Sequence, residues 1–222
     1  MIIDCISDLH GCKPVLHGGD LLIVAGDLTA RDTHEQYVVF QEWLDKQPYR
    51  KKVVIAGNHD GRMVETNERH MAHVYCHGAD YLCDSGTEFC GTDKDGKPCT
   101  MKIWGSPWTP TFYDWYFMKD RGEPIKEMWD KIPDDIDILI THGPPYGILD
   151  KVQKSSKGDE FQHAGCMDLL NKVATMKNLK LHVFGHIHEC PGVEEIRGTK
   201  FVNATIMNEW YEPVNKPIRI DL

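Results

Sequence analysis

Seven polar residues, grouped in short clusters along the chain, have side chains that could hold divalent metal ions. They are Asp8, His10, Asp27, Asn58, His142, His186 and His188. Carboxylate and amide oxygens and imidazole nitrogens suit divalent ions of hard and borderline character. Two such ions held side by side are a recurring device for breaking phosphate esters. The residue types therefore predict a dinuclear metal site that acts on a phosphate ester.

Each cluster follows a short apolar run that is typical of a buried β-strand. The five predicted strands are Ile2–Ile6, Leu21–Ala25, Lys52–Ala56, Ile136–Ile140 and Leu181–Phe184. Because the carboxyl ends of parallel strands meet at one edge of an α/β sheet, we expect the seven side chains to converge there.

The spacing of the first three clusters suggests a role for each member. Asp8 and His10 are two residues apart on one loop, so both side chains can reach the same ion. Asp27 has two carboxylate oxygens and can bridge two ions about 3.5–4 Å apart. Asn58 offers a neutral oxygen, which avoids excess negative charge where a phosphate must bind. We therefore expect Asn58 to bind metal and to lie beside the substrate.

The residues that follow Asn58 are candidates for proton transfer. His59 is not expected to share an ion with Asn58, because adjacent side chains diverge. It is placed to act as the general acid that protonates the leaving alkoxide, with Asp60 keeping it protonated. A hydroxide that bridges the two ions would attack phosphorus in line.

Length and charge limit the class of protein. A chain of 222 residues predicts one domain over residues 1–222. Its formal net charge of −9 argues against strong binding to a nucleic-acid backbone. No apolar run reaches the length of a membrane span, and the first residues do not resemble a signal peptide. We expect a cytoplasmic protein with neither membrane nor nucleic-acid partners.

The eight cysteines are irregularly spaced and form no C-x-x-C pair, so a structural zinc ribbon is not expected. In a cytoplasmic chain they are predicted to be free thiols. Cys12 and Cys190 each follow a candidate ligand histidine by two residues. One hypothesis is that cations lower the pKa of these thiols and make them sensitive to oxidation. The alternative is that both are buried and inert.

Further elements are predicted from capping and periodicity. Asp32 and Glu35 resemble a capping box at the start of a helix. A second helix is expected over His163–Met176. The apolar face of the first helix would contain Tyr37, Phe40, Trp43 and Leu44, and that of the second Met167, Leu170, Val173 and Ala174. Two hairpins are predicted, Glu88–Gly91 with Thr100–Trp104 and Val193–Ile196 with Lys200–Asn203, before a final strand, Ile218–Ile220.

An unusually aromatic segment lies between the first hairpin and the fourth cluster. Its members are Trp104, Trp108, Phe112, Tyr113, Trp115, Tyr116, Phe117 and Trp129. These rings could stack on a nucleobase, and Trp108 and Tyr113 are the candidates for substrate contact. Alternatively, the segment fills the core or forms the contact of a homodimer.

In sequence and order, the clusters resemble the calcineurin-like metallophosphoesterase superfamily. Its pattern of D-x-H, GD, GNH[DE], a lone His and G-H-x-H is present from Asp8 to His188. Residues 105–110 and 141–145 further resemble the small metallophosphoesterase-domain-containing phosphodiesterases. The resemblance implies a four-layer α/β/β/α sandwich of two mixed β-sheets flanked by helices. It also implies two divalent ions, with Mn²⁺ favoured and Fe, Zn²⁺ or Mg²⁺ as alternatives.

The family pattern also divides the ligands between the ions. Asp8, His10 and His188 would hold the first ion, and Asn58, His142 and His186 the second, with Asp27 shared. The implied function is hydrolysis of small phosphodiesters such as cyclic nucleotides. A phosphomonoesterase or protein phosphatase is the alternative enzyme, and a non-catalytic metal-binding interaction module is the alternative of another class.

Overall fold

Strands account for most of the regular structure. The computed structural model describes residues 1–65, 74–92, 95–153 and 161–222. The strands, numbered along the chain, are β1 (Ile2–Ile6), β2 (Gly19–Ala25), β3 (Tyr49–Ile55), β4 (Asp80–Tyr81), β5 (Ser85–Thr92), β6 (Pro98–Ser106), β7 (Thr109–Pro110), β8 (Met118–Lys119), β9 (Ile138–Thr141), β10 (Lys151–Gln153), β11 (Phe161–His163), β12 (Leu181–Phe184), β13 (Gly192–Ile196), β14 (Thr199–Asn203) and β15 (Ile218–Asp221). The helices are α1 (His34–Asp45), α2 (Arg62–Glu65), α3 (Glu123–Trp129) and α4 (Met167–Thr175).

Two mixed sheets face each other. The first sheet has the order β15-β1-β2-β3-β4, and the second has the order β13-β14-β12-β9-β6-β5. In the first sheet only the β15–β1 pair is antiparallel; in the second, the outer pairs β13–β14 and β6–β5 are antiparallel. Two short pairs, β7–β8 and β10–β11, lie outside these sheets. The five predicted strands are confirmed as β1, β2, β3, β9 and β12, with small shifts at their ends.

Alternation of apolar residues explains the layers. Along β1 and β2, Ile3 and Ile23 point into a core shared with the second sheet, whereas Leu22 and Val24 point to the opposite face. That opposite face packs against α1. The outer face of the second sheet packs against α3 and α4 through a third apolar cluster that includes Trp129. The predicted four-layer α/β/β/α sandwich is therefore confirmed. Among the described residues, the helices lack the length and apolar character that crossing a bilayer requires.

Helix α1 begins one residue later than predicted. Thr33 is the N-cap, with an extended backbone and a side chain that accepts a hydrogen bond from the Gln36 amide. Asp32 has a φ of 52°, outside the extended region that an N-cap residue adopts. Its carboxylate instead accepts hydrogen bonds from the Tyr37 hydroxyl and the Arg62 amide. The predicted apolar face is confirmed, since Tyr37, Phe40, Trp43 and Leu44 are buried.

Helix α4 is shorter than predicted. Residues 161–163 form β11 and pair with β10, so the helix begins only after Cys166. Its buried side chains are Leu169 and Val173. Of the predicted inward residues, Met167 and Ala174 are exposed, and Leu170 is partly buried. The two predicted hairpins and the final strand are confirmed as β5–β6, β13–β14 and β15.

Candidate metal centre

The predicted ligands come from strand ends of both sheets. Asp8 and His10 follow β1, Asp27 follows β2 and Asn58 follows β3, all in the first sheet. His142 follows β9, and His186 and His188 follow β12, in the second sheet. The residues form three groups, and within each group the ligand atoms lie within 4.8 Å of one another. The groups are Asp8 with His10 and His188, His10 with Asp27 and His59, and Asp8 with Asp27 and His142.

The two carboxylates are buried and rigidly held. Asp8 is 0% exposed and Asp27 is 2% exposed. Both have left-handed backbones, with φ of 55° and 53°, a conformation that is costly for non-glycine residues and concentrates at functional sites. The backbone N–H of His186 donates to both oxygens of Asp8, at 3.1 and 3.0 Å. The backbone N–H of His59 donates to Asp27 Oδ1 at 2.8 Å.

The two oxygens of Asp27 face different histidines. Oδ2 lies 3.6 Å from His10 Nε2, and Oδ1 lies 3.4 Å from His142 Nε2. Asp27 therefore belongs to two of the three ligand groups. This is the arrangement required of a carboxylate that bridges two ions.

His142 presents a lone pair to other lone pairs. Its Nδ1 lies 2.9 Å from the Ala25 carbonyl, to which it donates a hydrogen bond. Its Nε2 lies 2.9 Å from Asn58 Oδ1 as well as 3.4 Å from Asp27 Oδ1. In neutral His142 this nitrogen is an acceptor facing two oxygens that also accept, an arrangement that a cation or a proton would satisfy. The donor set therefore fits a divalent ion.

His10 and His188 form a ligand group with Asp8. Both ring nitrogens of His10 are buried and have no hydrogen-bond partner among the described residues. His188 Nδ1 lies 3.1 Å from the Asn208 carbonyl, and its Nε2 lies 3.4 Å from Asp8 Oδ1. A backbone partner on the far ring nitrogen is the usual way to aim a histidine at a metal. The orphaned nitrogens of His10 and the orientation of His188 fit a second ion here.

His186 is less clearly aimed. Its ring centroid lies 5.1 Å from that of His142, and its backbone has a φ of 67°. No ring nitrogen of His186 belongs to the three close ligand groups found among the described residues. Its position beside His142 keeps it on the predicted side of the site.

The surroundings shift the pKa values of the site's groups in both directions. Burial raises the pKa of Asp8, but the hydrogen bond and charge of His188 outweigh it and lower the pKa to about 2. Burial lowers the pKa of His142, but the Asp27 carboxylate outweighs it and raises the pKa to about 9. Burial dominates at His10 and His186 and lowers the pKa of each to about 4. Two histidines are thus kept neutral and able to bind a cation.

His59 and Asp60 are not paired as predicted. The Asp60 carboxylate accepts hydrogen bonds from the backbone N–H groups of Gly57, Leu28 and Thr29, at 2.8–3.2 Å. Burial and the Asp27 carboxylate raise the pKa of Asp60 to about 7. These hydrogen bonds make Asp60 the anchor of the loop after β3. The His59 ring instead lies against His10, at 4.6 Å between centroids.

The aromatic residues that touch the site differ from those predicted. Trp108 is partly buried, and its indole N–H donates to Asp84 at 3.0 Å. Tyr113 is 79% exposed and packs on Phe112. The rings in contact with site histidines are Trp115, 4.3 Å from His59, and Tyr211, 4.9 Å from His10 and 5.0 Å from His188. Tyr211 is not among the predicted residues, because its signal in the sequence is an aromatic pair, 210–211, in a segment without periodicity.

The two cysteines near ligand histidines have different surroundings. All eight cysteines are free. The Cys190 thiol donates to the Lys151 carbonyl at 3.2 Å. Burial raises the pKa of Cys190. Cys12 is partly buried beside the apolar cluster under α1.

Comparisons with known proteins agree with this geometry. Residues 1–190 match the family described as Calcineurin-like phosphoesterase. The chain is 40% identical to human "Metallophosphoesterase domain-containing protein 1", over 98% of this chain and 70% of that protein. It is 34% identical to a UPF0046 protein of Caenorhabditis elegans, over 98% of this chain and 79% of that protein.

A solved crystal structure shares the fold. It aligns with a TM-score of 0.55 and 15% identity, over 91% of this chain and 89% of that chain. The sequence match, the sandwich and the converging ligands lead to one assignment. The chain belongs to the calcineurin-like phosphoesterase family and is a metal-dependent phosphoesterase.

Proposed function

We propose that the chain is a phosphodiesterase that uses two divalent ions to hydrolyse small phosphodiesters such as cyclic nucleotides. The observation that carries the proposal is Asp27, whose two oxygens face His10 and His142 on opposite sides. Asp8, His10 and His188 would hold one ion, and Asn58, His142 and His186 the other. Mn²⁺ is the proposed metal, with Fe, Zn²⁺ and Mg²⁺ as alternatives.

Bound ions would supply Lewis acidity, which lowers the pKa of water and neutralises charge that develops on the phosphate. The protein's own groups do the rest. Asn58 contributes a neutral oxygen, so the phosphate meets no third carboxylate beside Asp8 and Asp27. The hydrogen bond from the His59 backbone N–H to the Asp27 carboxylate holds the His59 backbone at the edge of the site. His59 would then protonate the leaving oxygen.

The proposed partner is a small molecule. A net charge of −9 repels a nucleic-acid backbone outside the site. The proposed location is the cytoplasm, and a homodimer is the proposed alternative to a monomer.

A substrate panel tests the proposal. Bis-p-nitrophenyl phosphate, p-nitrophenyl phosphate and 2′,3′- and 3′,5′-cyclic nucleotides would be assayed in Mn²⁺, with Asp27→Ala as the inactive control. We expect the diester and cyclic nucleotides to be cleaved with higher kcat/KM than the monoester. A preference for the monoester would favour a phosphomonoesterase, and metal binding without turnover of any ester would favour a non-catalytic module.

A further inference from the structure

A short turn near the C-terminus lies against the metal centre although it falls outside the residues matched by the family. The turn comprises residues 208–212, whereas the family match ends at residue 190. The Asn208 amide donates to the Glu212 carbonyl at 2.9 Å, and the Tyr211 amide donates to the Asn208 carbonyl at 2.9 Å. The Asn208 side-chain oxygen accepts from the Trp210 and Glu212 amides, at 3.0 and 2.8 Å. The conformation of the turn is therefore set by one asparagine.

The turn forces Tyr211 into a left-handed backbone, with a φ of 61°. Such a conformation is uncommon for a bulky residue and persists only where the surroundings fix it. Asn208 also binds the site itself, because its carbonyl accepts the hydrogen bond from His188 Nδ1. One residue thus orients a predicted metal ligand and holds Tyr211 next to it.

Tyr211 and Trp115 both border His59 and both have exposed surface. The Tyr211 ring meets His10 and His188 at interplanar angles of 68° and 76° and is 54% exposed. The Tyr211 centroid lies 6.3 Å from that of His59. Trp115 lies on His59 with an interplanar angle of 34° and is 42% exposed. The proposed general acid, His59, therefore lies beside two aromatic rings, which come from different segments of the chain.

We propose that Tyr211 and Trp115 are substrate-positioning residues that select phosphoesters carrying a flat, apolar ring on the ester group next to His59. The inference rests on the proposed function, which puts the leaving group at His59. Exposed aromatic faces bind flat rings by stacking. For nucleic-acid bases this stacking corresponds to about 5- to 150-fold in affinity per ring. Rings that merely covered the histidines would give no such preference.

Phosphonates test the preference without turnover, because their carbon–phosphorus bond is not an ester. Phenylphosphonate and cyclohexylphosphonate share a headgroup and differ in whether the ring is flat. Their dissociation constants would be measured by calorimetry on the Mn²⁺-loaded full chain, with methylphosphonate as the reference for headgroup binding. We expect phenylphosphonate to bind about fivefold tighter than cyclohexylphosphonate, the low end of the stacking range.

Variants assign the preference to the two rings. Tyr211→Leu and Trp115→Leu should each bring the phenyl-to-cyclohexyl ratio towards one, and Tyr211→Phe should keep it. Trp210→Leu is the matched control, since Trp210 is in the same turn and is 71% exposed. It should leave the ratio unchanged. Melting temperature and metal content would show that each variant is folded and loaded.

Two results would overturn the inference while leaving the proposed function intact. One is equal affinity of the parent protein for the two ring phosphonates. The other is an unchanged ratio in folded, metal-loaded Tyr211→Leu or, should that variant not fold, in Trp115→Leu. A substrate panel without cleavage of any phosphodiester would overturn the proposed function, and the inference with it.

Discussion

The two sheets contribute different chemistry to the same site. The first sheet supplies both buried carboxylates, Asp8 and Asp27, each in a left-handed conformation. The second sheet supplies only imidazoles, from His142, His186 and His188. Within the site, the carboxylates therefore come from the first sheet, which also supplies His10 and Asn58, and the second sheet contributes imidazoles alone.

Neither half holds its ligands alone. The Asp8 carboxylate accepts its backbone hydrogen bonds from His186, across the gap between the sheets. In return, His142 donates to the Ala25 carbonyl at the end of β2. Removing a carboxylate should therefore remove negative charge from the site, whereas removing an imidazole should remove one metal ligand.

The largest effect is expected at the shared carboxylate. Asp27→Ala removes a carboxylate that belongs to two of the ligand groups, so the binding of both ions should be weakened. We expect kcat to fall by at least about 10³-fold, since metal ions contribute several kcal/mol to transition-state stabilisation. Metal analysis should find fewer than two ions per chain. Fully active parent protein with a single ion at saturation would contradict the dinuclear scheme.

The next effect concerns proton transfer beside the carboxylates. His59→Ala should slow esters with poor leaving groups by about 10²–10⁴-fold. Cleavage of p-nitrophenyl esters should change little, because that leaving group needs little protonation, and metal content should be retained. Equal losses with good and poor leaving groups would mean that His59 positions the phosphate instead.

A smaller effect is expected when the second sheet loses one imidazole. His188→Ala should lower the affinity for one ion by about 10- to 100-fold, the loss seen when groups that support metal ligands are removed. Excess Mn²⁺ should restore much of the activity, unlike for Asp27→Ala. A titration of activity against metal concentration measures the shift. If excess metal restores Asp27→Ala equally well, the contrast between the two sheets is wrong.

The smallest effect sharpens the comparison with a first-sheet carboxylate outside the site. Asp4 receives two hydrogen bonds of 2.7 Å from Arg219 and one from the Tyr49 hydroxyl. Burial raises the pKa of Asp4, but these partners outweigh it and hold the pKa below the usual value of a carboxyl. Asp4→Asn should lower Tm by about 2–4 °C at neutral pH and leave activity unchanged.

The pH dependence of that difference follows from its sign. A carboxyl whose pKa is lowered by folding stabilises the protein fully above its unfolded pKa. The stabilisation is lost as the pH falls through the folded value. The gap in Tm between parent and Asp4→Asn should therefore close under acid conditions, as thermal unfolding at several pH values would show. A gap that widens in acid would contradict the assignment.

The strands and the convergence of the clusters were predictable because apolar runs and polar strand ends are local in the sequence. Side-chain direction was not. Trp108 and Trp115 are seven residues apart in one aromatic segment, yet one packs beside Asp84 and the other beside His59. Which of the two rings lies beside the site depends on how the segment packs in the folded protein, and composition does not contain that information.

The same limit explains the other differences. Asp32 and Thr33 are both good N-cap residues, and only the contacts of Asp32 with Tyr37 and Arg62 decide between them. Tyr211 reaches the site through a turn that follows no periodic pattern. His59 and Asp60 are adjacent in the sequence, but the backbone amides of Gly57, in the same loop, and of Leu28, in the loop after β2, donate to the Asp60 carboxylate.

The hydrogen bond from the His186 backbone N–H to the Asp8 carboxylate joins residues 178 positions apart. A site assembled from such distant segments can form only after both sheets have docked, late in folding. Ions should therefore bind the native state and bind the transition state for folding only weakly. Added Mn²⁺ is expected to slow unfolding without accelerating refolding. The metal would act on how long the protein lasts once folded, and not on how it finds its fold.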